Sequence, residues 1–323
     1  MSWMEPRKII KVGEKSYAIT LPKKWAKILG IKPRDSVNLV LDKTGVIHVY
    51  VTHKKPKATV SNLVIDASNL NLQQLEELLR ACYIEGLDAI HIKNINKETI
   101  KIHELNQILY KLPGVLFLEP GLEDLIIKIA ITEDVIDVEE VISRISHVLE
   151  LMFDYLENYI EKGKKEDAEA ILKLDDEVDR LYHLGQRLIR KRVRTKILSA
   201  KEYLDILDFL TIVTSLEHIG DSIDRAIRVL LEHEWEEVRD ILREAVLIER
   251  KIVFDTISGI KHPNTKLLET IKMKRRELRK LLRDLVMKKP ELSGVINEFD
   301  LISTLAMDMA EINTYRWARK EAE

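Results

Sequence analysis

Leu216-Glu217-His218-Ile219-Gly220-Asp221-Ser222-Ile223-Asp224-Arg225-Ala226-Ile227-Arg228-Val229-Leu230 is the stretch from which the architecture can be read. Its apolar residues Leu216, Ile219, Ile223, Ile227 and Leu230 recur every three or four positions, the stripe of a core-facing amphipathic helix. Glu217, Gly220, Asp221 and Asp224 run along the margin of that stripe. Glu217 and Asp221 are four residues apart, so a helix carries both on one face about a turn apart. A second acidic run, Asp175-Asp176-Glu177-Val178-Asp179, repeats the spacing in another helical segment. Facing helices with paired acids are how a bundle assembles oxygen ligands. The same spacing also builds an ordinary solvated face in a chain that is 33% charged, and both readings stand at this point.

Around these runs the chain reads as helix after helix from residue 134 to 323. The periodic segments are 137–162, 165–194, 200–233, 235–260, 264–289 and 293–321, punctuated by Gly163, Ser199, His233-Glu234, His262-Pro263 and Pro290. Two sets of three imply a pair of antiparallel three-helix bundles. Sliding Ile171–Ile189 along 264–289 in the register that best preserves apolar positions puts Lys272 and Arg276 opposite Asp175 and Asp179. The last helix then offers Met307 and Glu311 opposite Glu217 and Asp221. The second set therefore lacks the acids of the first. Residues 266–289 instead hold ten Lys/Arg against three Asp/Glu over a stripe of Leu267, Ile271, Leu278, Leu281 and Leu285. That helix is either a solvated face or a docking face for an acidic partner or phosphate backbone.

Upstream, residues 58–131 read as βαβαββ, with strands at 62–66, 89–93, 115–118 and 125–131 and helices at 72–85 and 99–112. This is a small α/β sandwich without a catalytic motif. His91 and His103 stand alone there, which favours structural roles. Residues 1–52 read as ββαββ. Gly13-Glu14-Lys15-Ser16 turns between the first strands, Pro22 opens a helix over 23–29 that Gly30 ends, and Asp42-Lys43-Thr44-Gly45 turns the last hairpin. So small a unit has little core of its own, which argues for dimerisation. Thr52-His53-Lys54-Lys55-Pro56-Lys57 is a short basic linker.

The formal charge of −2 hides an asymmetry. Residues 1–57 hold 13 Lys/Arg against 4 Asp/Glu, a net of +9, while residues 58–131 carry −4 and the remainder −7. A basic head on an acidic body points the head at a polyanion, nucleic acid first and anionic lipid second. Apolar residues make up 46% of the chain, yet no apolar run reaches the ~18 residues of a membrane span. With no signal-peptide pattern at the start, a cytoplasmic location is expected. Cys82 is the only cysteine, which excludes an intramolecular disulfide and a cysteine-based zinc finger.

Two resemblances attach to these residues. Val12-Gly13-Glu14-Lys15-Ser16-Tyr17-Ala18-Ile19-Thr20-Leu21-Pro22-Lys23-Lys24-Trp25, with Leu29-Gly30-Ile31-Lys32-Pro33-Arg34-Asp35-Ser36-Val37, resembles a SpoVT/AbrB-type swapped-hairpin DNA-binding domain. Arg34 departs from the pattern, standing where that family has Gly. The resemblance implies a homodimer through the N-terminal domain, with Arg7, Lys8, Lys11, Lys15, Lys23, Lys24 and Lys27 as DNA contacts. It also leaves open a purely dimerising module. The acid pairs and Leu216-Glu217-x-Ile219-Gly220-Asp221 resemble PhoU, the phosphate-signalling regulator, with His218 where that family often has Arg. This second resemblance implies a metal site of Asp175, Asp179, Glu217 and Asp221, with Asp224 and His183 as extras, confined to the first helical repeat. An all-carboxylate set suits Mg, Mn or Fe. Without a cation the acids would repel one another and their pKa values would rise.

Together the three parts are similar to the archaeal phosphate-uptake-regulator type: mainly α and multidomain, with a β head, an α/β middle and a PhoU-like pair of three-helix bundles. The implied function is a DNA-binding regulator of phosphate uptake. The alternative is an adaptor that restrains a phosphate ABC transporter through its ATPase, with the head serving dimerisation. A carboxylate-bridged di-metal enzyme would need facing Glu-x-x-His pairs, which His183 and His218 do not supply, so no enzymatic activity is expected.

Overall fold

The computed structural model describes residues 5–41, 45–51, 62–96, 100–120, 124–131, 136–196 and 198–322. The expected linker at 52–57 and the turn residues at 42–44 lie outside them. Two compact units divide the chain, Met1–Val60 and Ser61–Glu323.

The first unit is two hairpins and one helix. Strands β1 (Ile9–Val12) and β2 (Ser16–Ile19) pair antiparallel, α1 (Lys23–Leu29) follows, and β3 (Val37–Leu41) pairs with β4 (Ile47–Val51) as a second two-stranded sheet. Gly30 ends α1 in the left-handed conformation and returns its N–H to the last turn. Arg34 also holds a positive φ of 77°, so the turn keeps the glycine conformation although the residue has a Cβ. Among the described residues of this unit only Pro22 is buried.

The second unit opens with a four-stranded sheet of β5 (Asn62–Asp66), β6 (Ala89–Lys93), β7 (Val115–Pro120) and β8 (Leu125–Ile129), in the order β5-β6-β8-β7. Neighbours β5 and β6 run parallel, and β8 is antiparallel to both β6 and β7. Helices α2 (Leu72–Ile84) and α3 (Ile102–Tyr110) connect the strands. Asn71 caps α2 through a reciprocal box with Gln74. Ile65, Leu75, Leu79, Tyr83, Ile90, Ile92, Leu105 and Ile127 form the core between helices and sheet. The last strand stops at Ile129 rather than Ile131.

Six long helices follow: α4 (Val138–Lys162), α5 (Lys165–Thr195), α6 (Ala200–Glu232), α7 (Arg239–Lys261), α8 (Leu267–Lys288) and α9 (Ser293–Glu321). Short 3-10 turns at Glu236–Val238 and Pro290–Leu292 lead into α7 and α9. Helices α4, α5 and α6 pack as one triplet and α7, α8 and α9 as another. Contacts of α6 with α9 and of α4 with α7 join the triplets over one continuous apolar core. The stripe expected on α8 is buried at Leu267, Ile271, Leu278 and Leu285, while Leu281 is only partly buried and Leu282 takes its place in the core. No described helix is long and apolar enough to cross a membrane.

Candidate metal centre

Helices α5 and α6 approach closely because position 220 has no side chain. A Cβ on Gly220 would meet Val178 Cγ1 at 3.2 Å and Asp175 Oδ1 at 3.5 Å. Glu217, about a turn before Gly220 on α6, and Asp221, immediately after it, face Asp179 of α5. One carboxylate oxygen from each of Asp179, Glu217 and Asp221 lies within 4.8 Å of the others, and all three residues are half-buried. Asp175 sits beside this triad rather than in it. Its Oδ1 is buried without a hydrogen-bond partner, as is Glu217 Oε2. His218 Nε2 stands 3.4 Å from Glu217 Oε2 without hydrogen-bond geometry.

The electrostatics follow from this crowding. Burial, then the charges of Asp224, Asp179 and Asp221, push Asp175 up to about 7. Burial, then Asp221, Asp179 and Asp175, push Glu217 up to about 7. Asp179 is raised by burial and by Asp221 and Asp176, against the pull of Lys111 and Arg80 from the α/β layer. Convergent acids thus raise one another as the spacing predicts. His183, one turn beyond Asp179, is lowered to about 4 by burial and by Arg80 and Lys111; its Nδ1 has no partner.

The remaining predicted ligand is occupied. Asp224 accepts from Arg228 Nε at 2.7 Å and Nη2 at 3.0 Å, an i,i+4 fork that takes both its oxygens. Asp221 accepts from Arg225 at 3.0 Å through Oδ2, which leaves Oδ1 for the cluster. Buried, uncompensated carboxylate oxygens are costly, and a hard cation removes that cost with the all-oxygen donors it prefers. The chain's own donor set therefore fits such an ion at Asp179, Glu217 and Asp221, with Asp175 adjacent.

A family model of the PhoU domain matches residues 142–230, the span that contains every acid of this cluster. That span is similar to a PhoU domain. A second family model, described as antidote-toxin recognition MazE, bacterial antitoxin, matches residues 10–59. No curated protein matches the chain. A crystal structure of PhoU from Pseudomonas aeruginosa aligns with a TM-score of 0.48 at 16% identity, covering 57% of this chain and 96% of that one.

In the antitoxin-like head, Arg7, Lys8, Lys11, Lys15, Lys23, Lys24 and Lys27 are all exposed. Lys23 and Lys27 stand one turn apart on α1, Lys11 lies on β1 and Lys15 in the turn that follows. Arg7 pairs with Glu5. Beyond the PhoU match, the second triplet brings Lys272, Arg275 and Arg276 of α8 against Met307 of α9, the register expected from the sequence. Neither Arg187 nor Glu249, both fully buried charges, is singled out by the sequence analysis. Arg187 of α5 is fully buried and donates to the carbonyls of Tyr83 and Leu87 at 2.9 and 2.8 Å. Glu249 of α7 is also fully buried, and both its oxygens lack a partner. The signal for each was a charge falling on the apolar face of a helix.

Proposed function

We propose that this chain is a DNA-binding regulator of phosphate homeostasis, in which a dimeric basic head grips DNA and the PhoU domain responds to a phosphate-linked signal. The observation that carries it is the joining of an antitoxin-type module and a PhoU domain on one chain, with the positive charge gathered on the former. Lysines on a small rigid β scaffold neutralise phosphates and release counterions, so log affinity should fall steeply with log salt. The test is binding of operator-length duplex DNA by the full chain at several salt concentrations, with Lys11, Lys15, Lys23 and Lys27 reversed to Glu in a variant. Loss of binding and of its salt dependence in the variant is expected. Unchanged binding there would refute the head's role.

The acid cluster holds a single Mg, Mn or Fe ion in this reading. Bound there, a hard cation would supply fixed positive charge that ties α5 to α6. Asp179, Glu217 and Asp221 would ligate it, and Asp175 would orient beside it. Elemental analysis of the purified protein, with melting followed on adding Mn or Mg, should show a stoichiometric metal and stabilisation that Glu217→Gln abolishes. The second reading is an adaptor on a phosphate transporter ATPase, and the antitoxin match favours it because antitoxins of that description recognise proteins. Salt-insensitive absence of DNA binding together with capture of the ATPase would select it.

A further inference from the structure

In the second triplet, the place equivalent to the acid cluster is a cationic pocket. Lys272, Arg275, Arg276 and Arg279 fall at i, i+3, i+4 and i+7, one face of α8. Together with Met307 of α9 they line a cavity of about 140 Å³. Arg275 is buried and fixed: its Nε donates to Ser303 Oγ at 3.1 Å, its Nη1 lies 3.6 Å from Met307 Sδ, and its Nη2 donates to Thr304. Arg279 is held by Asp300 at 2.8 Å. Lys272 and Arg276 have no hydrogen-bond or ion-pair partner among the described residues. Asp300, 3.5 Å from Arg275, and the buried Glu249, whose carboxyl feels both Arg275 and Asp300, are the acids that face the four cations among the described residues.

We infer that this pocket binds a phosphoryl group, either as inorganic phosphate or as a phosphate monoester. Like charges are not gathered around a concavity at no cost, and here the acid that would neutralise them is replaced by Met307, the counterpart of Glu217. Held guanidinium groups beside free cationic ends are the arrangement that suits a multiply charged tetrahedral oxyanion with several acceptor oxygens. The cavity is smaller than the roughly 300–1,000 Å³ of drug-sized sites, so it admits a small anion or one group of a larger molecule. The assignment uses no metal and no DNA, and it stands whether or not the functional reading above holds.

Calorimetric titration of the full chain tests it, with inorganic phosphate, phenyl phosphate and sulfate at matched ionic strength. Saturable binding at one site per chain is expected for at least one of the two phosphates, and which of them binds identifies the source of the group. The double variant Lys272→Ala with Arg276→Ala should weaken that binding about tenfold or more. Met307→Glu, which supplies the missing carboxylate, should abolish it. The control Lys165→Ala, at an exposed lysine on the first turn of α5, should leave it unchanged, and circular dichroism should show all variants equally helical. Absence of saturable binding by either phosphate would overturn the inference. So would binding that survives the double variant, or sulfate binding as tight as phosphate.

Discussion

At the residue scale, the decisive groups are carboxyls whose surroundings differ from what their type suggests. Asp175, Asp179, Glu217 and Asp221 were legible because spacing, an apolar margin and Gly220 all bore on them. That Asp224 is forked by Arg228 was not, because an i,i+4 acid-base pair has the same spacing as a ligand pair. Glu249 was passed over although it falls with Leu242, Val246 and Val253 on the buried face of α7, since Leu247-Ile248-Glu249-Arg250 reads as one more charged turn. Burial, then the charge of Asp300, holds its carboxyl well above the ordinary range, against the pull of Arg275. A folded pKa above the unfolded one means that the native state binds more protons between the two values. Stability from this group is therefore complete below the ordinary carboxylate range and is lost as pH rises toward the raised value. Glu249→Gln removes the titration. Urea unfolding at pH 5, 6.5 and 8 should show the parent losing stability relative to the variant with each step upward. A constant difference across those pH values would show that Glu249 does not titrate in the folded protein.

At the element scale, α5 is the connector. Its middle carries Asp175 and Asp179, and its last turns dock on the α/β layer. Arg187 crosses the Tyr83 ring at 5.0 Å while donating to the Tyr83 carbonyl in the last turn of α2 and the Leu87 carbonyl after it, Arg190 reaches Glu85 at 2.9 Å, and Lys191 reaches Asp88 at 2.5 Å. Arg194 donates to the Glu85 carbonyl at 2.5 Å. Cations at the C-terminus of α2 satisfy carbonyls that the helix leaves free and oppose its dipole. Helix boundaries were legible from Ser199, Gly163 and the proline breaks, and they hold to within a few residues. This docking was not legible, because Arg187-Leu188-Ile189-Arg190-Lys191 gives no hint that its partner lies a hundred residues upstream. Replacing Arg187 by Leu removes the side-chain donor from the Leu87 carbonyl, leaves the Tyr83 carbonyl only the Gly86 N–H, and should cost about 3 kcal/mol. Denaturant unfolding reads the loss. Arg187→Lys should recover only part of it, because one ammonium cannot reproduce the planar fork. Parental stability in the Leu variant would mean that the layer is held by its apolar contacts alone.

At the scale of the whole molecule, the two units differ in how far one chain can complete them. The second has its own continuous cores. The first was legible in every strand and in α1, and its smallness already implied a partner. The structure adds which apolar side chains a partner would cover. On β3 and β4, Leu39 pairs with Val49 and Leu41 with Ile47, an alternating apolar row. Leu39 stays 66% exposed and Leu41 69%, while Ile9 and Tyr17 of the first hairpin stand at 66% and 74%. A row of strand-borne apolar side chains open to water is a patch that soluble chains cover, and edges of two-stranded sheets invite pairing. A second copy of the head would cover it and would double the phosphate contacts available to DNA. Light scattering on the full chain should therefore give about twice the 37.6 kDa of one chain. Leu39→Asp with Leu41→Asp should bring the mass down to that of one chain, because burying two carboxylates in the interface costs more than the remaining contacts return. Melting of the helical unit should be unaffected, and salt-dependent DNA binding should fall with the dimer. A variant that stays dimeric would move the self-association to the second unit and leave the head's apolar rows to a different partner.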